Sequence, residues 1–240
     1  IVISETSASA SDLNSINALT TTAVSLTNVT SLTSSSLADL GTLASAINSN
    51  EFSNDTGLTT IAVSDTTIDA TTLASTIDTY DTINGSGTTG MTLASGASIN
   101  VDAGEITEML ADESAGRLTI GDQVITVTGA ITVSNANLLD ATTTGTVTAE
   151  ISSSSVDTLK TLTGTNAYTI TIAAADATGS TAAEFNTING ATTVAIDASA
   201  VTGLASDTAA NIKTLLTAGN DTAQFTGASF GSLATAVVSD

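Results

Sequence analysis

The sequence predicts a mainly β fold with short helices, a parallel β-solenoid-like repeat domain, and three observations point there. A small unit returns at least seven times: a β-branched run, a polar turn, then an Ala/Ser/Thr-rich stretch with apolar residues three or four apart. A dozen or more residues, including a helical stretch, usually separate the strand-like runs, which favours parallel crossovers over tight hairpins. Only 2% of the chain is aromatic while 41% is apolar, so the core must be thin and finely packed.

The elements follow in order. Ile1-Val2-Ile3-Ser4-Glu5 is a strand and turn, and residues 11–16 carry Leu13 and Ile16 at helical spacing. The pattern returns as Ile61-Ala62-Val63-Ser64-Asp65 followed by 71–77. Further alternating runs lie at 23–26, 91–93, 99–101, 118–120, 124–127, 131–133, 147–151, 168–172 and 193–196. Helical spacing recurs in Leu40/Leu43/Ile47, Leu73/Ile77, Ile106/Met109/Leu110, Val156/Leu159/Leu162, Phe185/Ile188 and Ile212/Leu215/Leu216. Ser206-Asp207 is the clearest capping signal, and Glu105 places an acid in the first turn of the segment from Ile106. The period is roughly 30 residues and irregular; its widest gap holds Leu138-Leu139, a degraded copy. No composition shift marks a boundary, so residues 1–240 read as one continuous repeat domain. Its start inside a repeat, without Met, predicts a segment of a longer chain.

The chain has 24 acidic and 3 basic residues (Arg117, Lys160, Lys213), no histidine, and a formal charge of −21. Three scattered cations cannot neutralise phosphate, so neither nucleic acid nor an anionic bilayer is expected as a partner. Self-repulsion opposes a compact state and points to high salt or divalent cations as the working medium. Without cysteine or histidine, thiolate chemistry, Cys/His zinc sites and imidazole catalysis lack their side chains. No apolar run approaches the roughly 20 residues that span a bilayer, so no membrane insertion is expected. The 49 Thr, 30 Ser and 38 Ala make up nearly half the chain, yet Ile, Val and Leu recur at regular intervals, which a disordered chain lacks.

Several strand-like runs lead into an acid or amide: Glu5, Asp65, Asp102, Asn135 and Asp197. Stacked in parallel rungs about 4.8 Å apart, such oxygens would form a ladder able to hold calcium. Asp65, Asp102 and Asp197 are the metal candidates, with turn capping as the other reading. Asn84-Gly85-Ser86-Gly87 lacks a following Lys-Ser/Thr and is no phosphate cradle. Glu105 and Glu108 share a helical face without a pocket signature around them, so they read as solvated and no catalytic residue is assigned. The chain is not expected to be an enzyme.

The copy Thr181-Ala182-Ala183-Glu184-Phe185-Asn186-Thr187-Ile188-Asn189-Gly190, followed by 193–199 and 207–212, resembles the degenerate repeats of giant cyanobacterial and marine bacterial cell-surface proteins, S-layer or RTX-adhesin-like. The resemblance spans nearly the whole chain. It implies a secreted, extracellular structural protein of the cell surface, often associated with calcium; the Gly-rich calcium nonapeptide of RTX proteins is absent. The expected function is a non-catalytic repeat segment of an S-layer or extracellular filament, self-associating as a homo-oligomer or with further copies of itself. A spacer or stalk of a giant adhesin, or a phage fibre or appendage protein, are the alternatives.

Overall fold

The computed structural model describes residues 1–240 apart from 86–88, 177, 228, 229, 231, 232, 234 and 240. The chain divides into two compact units, Ile1–Val124 and Ile125–Asp240.

The first unit opens with β1 (Ser7–Ala8) and α1 (Ala10–Ala18), then β2 (Val24–Ser25), β3 (Ser31–Ser35) and α2 (Leu37–Asn48). β4 (Phe52–Ser53), β5 (Thr60–Val63), β6 (Thr67–Asp69) and α3 (Ala70–Asn84) follow, then β7 (Gly90–Thr92), β8 (Ser98–Asp102), α4 (Ile106–Ser114) and β9 (Leu118–Thr119). A five-stranded sheet runs β1-β3-β5-β7-β9, while β2 pairs with β4 and β6 with β8. All these pairs are parallel: Ser7 faces Ser31, Ser31 faces Thr60, and Thr60 faces Gly90, so each strand meets its counterpart in the next repeat. The helices pack in chain order, α1 on α2, α2 on α3 and α3 on α4.

In the second unit the order is β10 (Val124–Ile131), α5 (Val133–Thr142), β11 (Val147–Ile151), α6 (Val156–Leu159), β12 (Ala167–Thr169), α7 (Ala182–Gly190), β13 (Ile196–Asp197), α8 (Ala209–Gly219) and β14 (Phe225–Thr226). β10, β11 and β12 form a parallel ladder, β13 pairs parallel with β14, and α6, α7 and α8 pack consecutively.

The fold class is therefore α/β, 36% helical and 24% strand, with eight helices among the described residues. The expectation of a mainly β, solenoid-like domain with short helices is overturned. Threonine was the misleading signal, because its β-branched side chain favours strands. Here hydroxyls on the helices donate to the carbonyl four residues back, as in Thr42 to Ala38, Ser45 to Gly41, Thr76 to Thr72, Thr142 to Leu138 and Thr214 to Ala210. That bond satisfies the hydroxyl inside a helix and lets Thr and Ser fill faces usually held by Lys and Glu. The run 131–133 is not a strand either: Ile131 ends β10, Thr132 caps, and Val133 starts α5. α5 fills the gap that held Leu138-Leu139, so that repeat is intact.

Helices bury their first, fourth and seventh positions, as in Leu37, Leu40 and Leu43 of α2 and Ala182, Phe185 and Ile188 of α7. The six aromatic side chains, Phe52, Tyr80, Tyr168, Phe185, Phe225 and Phe230, are all buried. Phe230 meets Phe185 and Phe225 edge to face at centroid distances of 5.9 and 5.0 Å. Tyr80 Oη donates to the Leu40 carbonyl at 3.0 Å and Tyr168 Oη to the Ala136 carbonyl at 3.2 Å, the fourth residues of α2 and α5. Burial pushes both phenols up, Tyr168 to about 12.

Tyr80→Phe keeps the ring and removes that bond. It should cost about 1 kcal/mol, read as a lower urea midpoint with an unchanged slope.

Candidate functional site

A helix leaves its first N–H groups without intrahelical partners. Six helices here meet that need locally: Ser9, Ser36, Asp69, Thr132, Thr181 and Thr208 each accept from the backbone N–H three residues on. Thr181 and Glu184 close a full capping box. The expected cap of α8 moves one residue, since Thr208 is the cap and Asp207 precedes it. α4 starts at Glu105 without a side-chain cap.

A second set of acceptors comes from the following repeat. Ser35 Oγ accepts from Ala10 N at 2.9 Å, Asp65 Oδ2 from Leu37 N at 2.7 Å, and Asp176 Oδ2 from Val156 N at 3.3 Å, each donor being the first residue of a helix. Asp207 Oδ2 accepts from Ala183 N at 2.7 Å, while its Oδ1 takes Thr208 N and Asn211 Nδ2 at 2.7 and 2.8 Å. One carboxylate thus joins the starts of α7 and α8. Amides bind the other way: Asn14 Nδ2 donates to the Asp39 carbonyl and Asn186 Nδ2 to the Asn211 carbonyl, at 3.0 and 3.1 Å. Both Asn residues sit fifth in their helix, and both carbonyls third in the next. In the shorter α6 repeat, Asn137 instead donates to Thr161 O and accepts from Thr163 N.

The three metal candidates have separate surroundings. Asp65 caps α2; Asp102 is exposed at the end of β8; Asp197 lies in the second unit, its Oδ1 accepting from Ser199 N at 3.0 Å. The β6–β8 ladder sets Thr67–Asp69 against Ser98–Asn100, a register that does not pair Asp65 with Asp102, and Asp197 faces Thr226. Among the described residues no three carboxylates converge where they could hold a metal ion. Glu5 is exposed and accepts from the Ser4 hydroxyl, while Asn135 lies inside α5. Ser86 and Gly87 of the glycine-rich stretch lie outside the described residues.

A cavity of about 400 Å³ opens between α3 and α4, floored by Leu73, Ile77 and Met109 and edged by Asp78, Glu108 and Asp112. Glu105, also on its edge, accepts from the Thr71 hydroxyl across the seam. Arg117, the one Lys or Arg of the first unit, ties Asp81 of α3 at 3.2 Å to the buried Asp112 of α4. Burial raises the Asp112 carboxyl despite Arg117, with Asp78 and Glu108 adding to the rise. In the second unit Lys160 joins Asp157 at 2.6 Å and Glu184 at 2.7 Å, linking α6 to α7 and holding Glu184 below the usual carboxylate range. No helix among the described residues is long and apolar enough to cross a membrane.

Asp207 is held low chiefly by the Asn211 amide, then by the Ala183 and Thr208 N–H groups. A lowered folded pKa means full stabilisation above the unfolded value near 4 and loss as the pH falls through the folded value. Asp197, held low by Ser199, and Glu184 act in the same direction; Asp112, raised, gains stability on protonation. Asp207→Asn should cost about 1–2 kcal/mol at neutral pH and flatten the loss of stability below about pH 4, seen by urea unfolding across pH. Arg117→Met strands the Asp112 charge and should cost about 3 kcal/mol, part of it recovered in the pair Arg117→Met with Asp112→Asn. No family model, curated protein or solved structure matches the chain.

Proposed function

We propose that the chain is a non-catalytic structural protein of a bacterial cell surface, a repeat segment of an S-layer or extracellular filament that self-associates. One observation carries this reading: side chains that elsewhere do chemistry here join one repeat to the next. Asp65, Asp176 and Asp207 complete the helix of the preceding repeat, and Arg117 and Lys160 tie consecutive helices. A seam made by hydrogen bonds at fixed helix positions is an operation that can be repeated from copy to copy. The charge of −21 supports an extracellular, saline setting, where screening lets such acidic surfaces approach. Calcium enters this reading as a bridging ion for that acid excess between copies rather than as an ion held by Asp65, Asp102 and Asp197 together.

Negative-stain electron microscopy of the purified chain in high salt, with calcium and then with a chelator, tests the proposal. Ordered sheets or fibres are expected, and their dissolution on chelation would make calcium the bridge. Dispersed particles under every condition would overturn self-association and favour the stalk of an adhesin or a phage fibre.

A further inference from the structure

Three helix seams share a link that the seam of α3 and α4 does not have. Counted from the first residue of each helix, the fifth residue donates to the third residue of the next helix. Asn14 and Asn186 give an amide to the carbonyls of Asp39 and Asn211, and Lys160 gives its ammonium to the Glu184 carboxylate at 2.7 Å. In α3 and α4 those two positions hold Ala74 and Glu108. The carboxylate of the Lys160–Glu184 link is thus present there without its alkylammonium, and both Ala74 and Glu108 line the cavity of about 400 Å³. The α2–α3 seam, with Gly41 and Thr72 in those positions, has neither a cation nor a carboxylate.

The cavity itself defines the chemistry of a ligand. Its lining combines buried Leu73, Ile77 and Met109 with the acids Asp78, Glu108 and Asp112, and among the described residues no Lys or Arg lines it. Glu108 and Asp112 are four apart on α4 and share one face. Asp112 is only 2% exposed; Arg117 holds its Oδ1, while no hydrogen bond among the described residues reaches Oδ2. Burial raises this carboxyl, and Asp78 and Glu108 raise it further, so a positive charge beside the three acids is favoured. A metal ion would need convergent carboxylates, which the described residues do not provide. An ammonium on a methylene chain uses the acids and the apolar lining together.

We infer that the α3–α4 cavity binds an aliphatic diamine, one ammonium donating to Glu108 as Lys160 donates to Glu184, and the methylenes covering Leu73, Ile77 and Met109 toward Asp112. The site is independent of the self-association proposed above.

Isothermal titration calorimetry of the whole chain with cadaverine at one fixed ionic strength tests it. Saturable binding is expected, tighter than that of the shorter diaminopropane by up to about fourfold for each further buried methylene, and none with uncharged pentanediol. Glu108→Gln, at an exposed side chain, should weaken cadaverine about fivefold, the scale of an exposed ion pair. Glu150→Gln, exposed on β11, should leave it unchanged. Ala74→Lys supplies the ammonium from the chain itself, and should remove cadaverine binding and raise the urea midpoint, with circular dichroism as in wild type. No saturable binding to the wild-type chain, or equal affinity for the two diamines, would overturn the site. So would a Glu108→Gln chain that binds like wild type, since binding would then report only the overall charge of −21.

Discussion

The constraint on which this structure depends is the set of backbone N–H groups left open at the start of each helix. The eight helices among the described residues present many of them, and each needs an acceptor or water. Local Ser, Thr and Asp caps close one bond per helix at six of the eight. One further first-turn group in each of α1, α2, α6 and α7 is closed by Ser35, Asp65, Asp176 and Asp207, which belong to the next repeat. In these four helices the start of the helix is thereby coupled to repeat stacking, since isolation would remove that acceptor.

The same arrangement deals with charge. Three cations cannot pair 24 acids, and no described helix carries a basic residue in its last turn. Acids lie instead where the helix dipole is positive: Asp12, Asp39, Glu108, Asp157 and Glu184 all occupy first turns. The two cations in ion pairs bridge two acids each, Arg117 between α3 and α4 and Lys160 within α6 and on to α7. Where this device is weakest, at α4 with its uncapped start, Asp78, Glu108 and Asp112 surround the gap and the cavity opens.

The helical segments and their buried positions were legible in the sequence. Leu40/Leu43/Ile47, Leu73/Ile77 and Phe185/Ile188 are all core residues, and the run 147–151 is β11 residue for residue. The balance of helix over strand was hidden, because composition registers the β preference of threonine while the bond to the carbonyl four residues back depends on a helix already being present. The metal candidates show a similar limit. Asp65 follows a strand in the sequence, and the pattern fits equally a ligand in a ladder or a cap on a helix 28 residues earlier; only the register between repeats separates them. Asp207 was read as a local cap when its other oxygen reaches back to α7. The signal that would have found both is a short polar residue shortly before one helix, read against the start of the helix before it.

Seam chemistry of this kind also explains why the repeats can differ in length without loss of the fold. Each bond involves only neighbouring repeats, so an insertion or a shortened helix is absorbed at one seam. α6 has four residues against nine in α7, yet Asn137 still bridges to its repeat by taking Thr161 O and Thr163 N in place of a helix carbonyl. Gly164 makes that detour possible: its φ of +69° is open to glycine, and a Cβ there would overlap the Asp140 carboxylate, which holds Thr163 and Asn166. Asn166 in turn accepts from Val147 N at 2.8 Å, so the altered seam is locked back onto β11. A fold whose stability is distributed over such local closures needs neither a large aromatic core nor a strict period, and this sequence has neither.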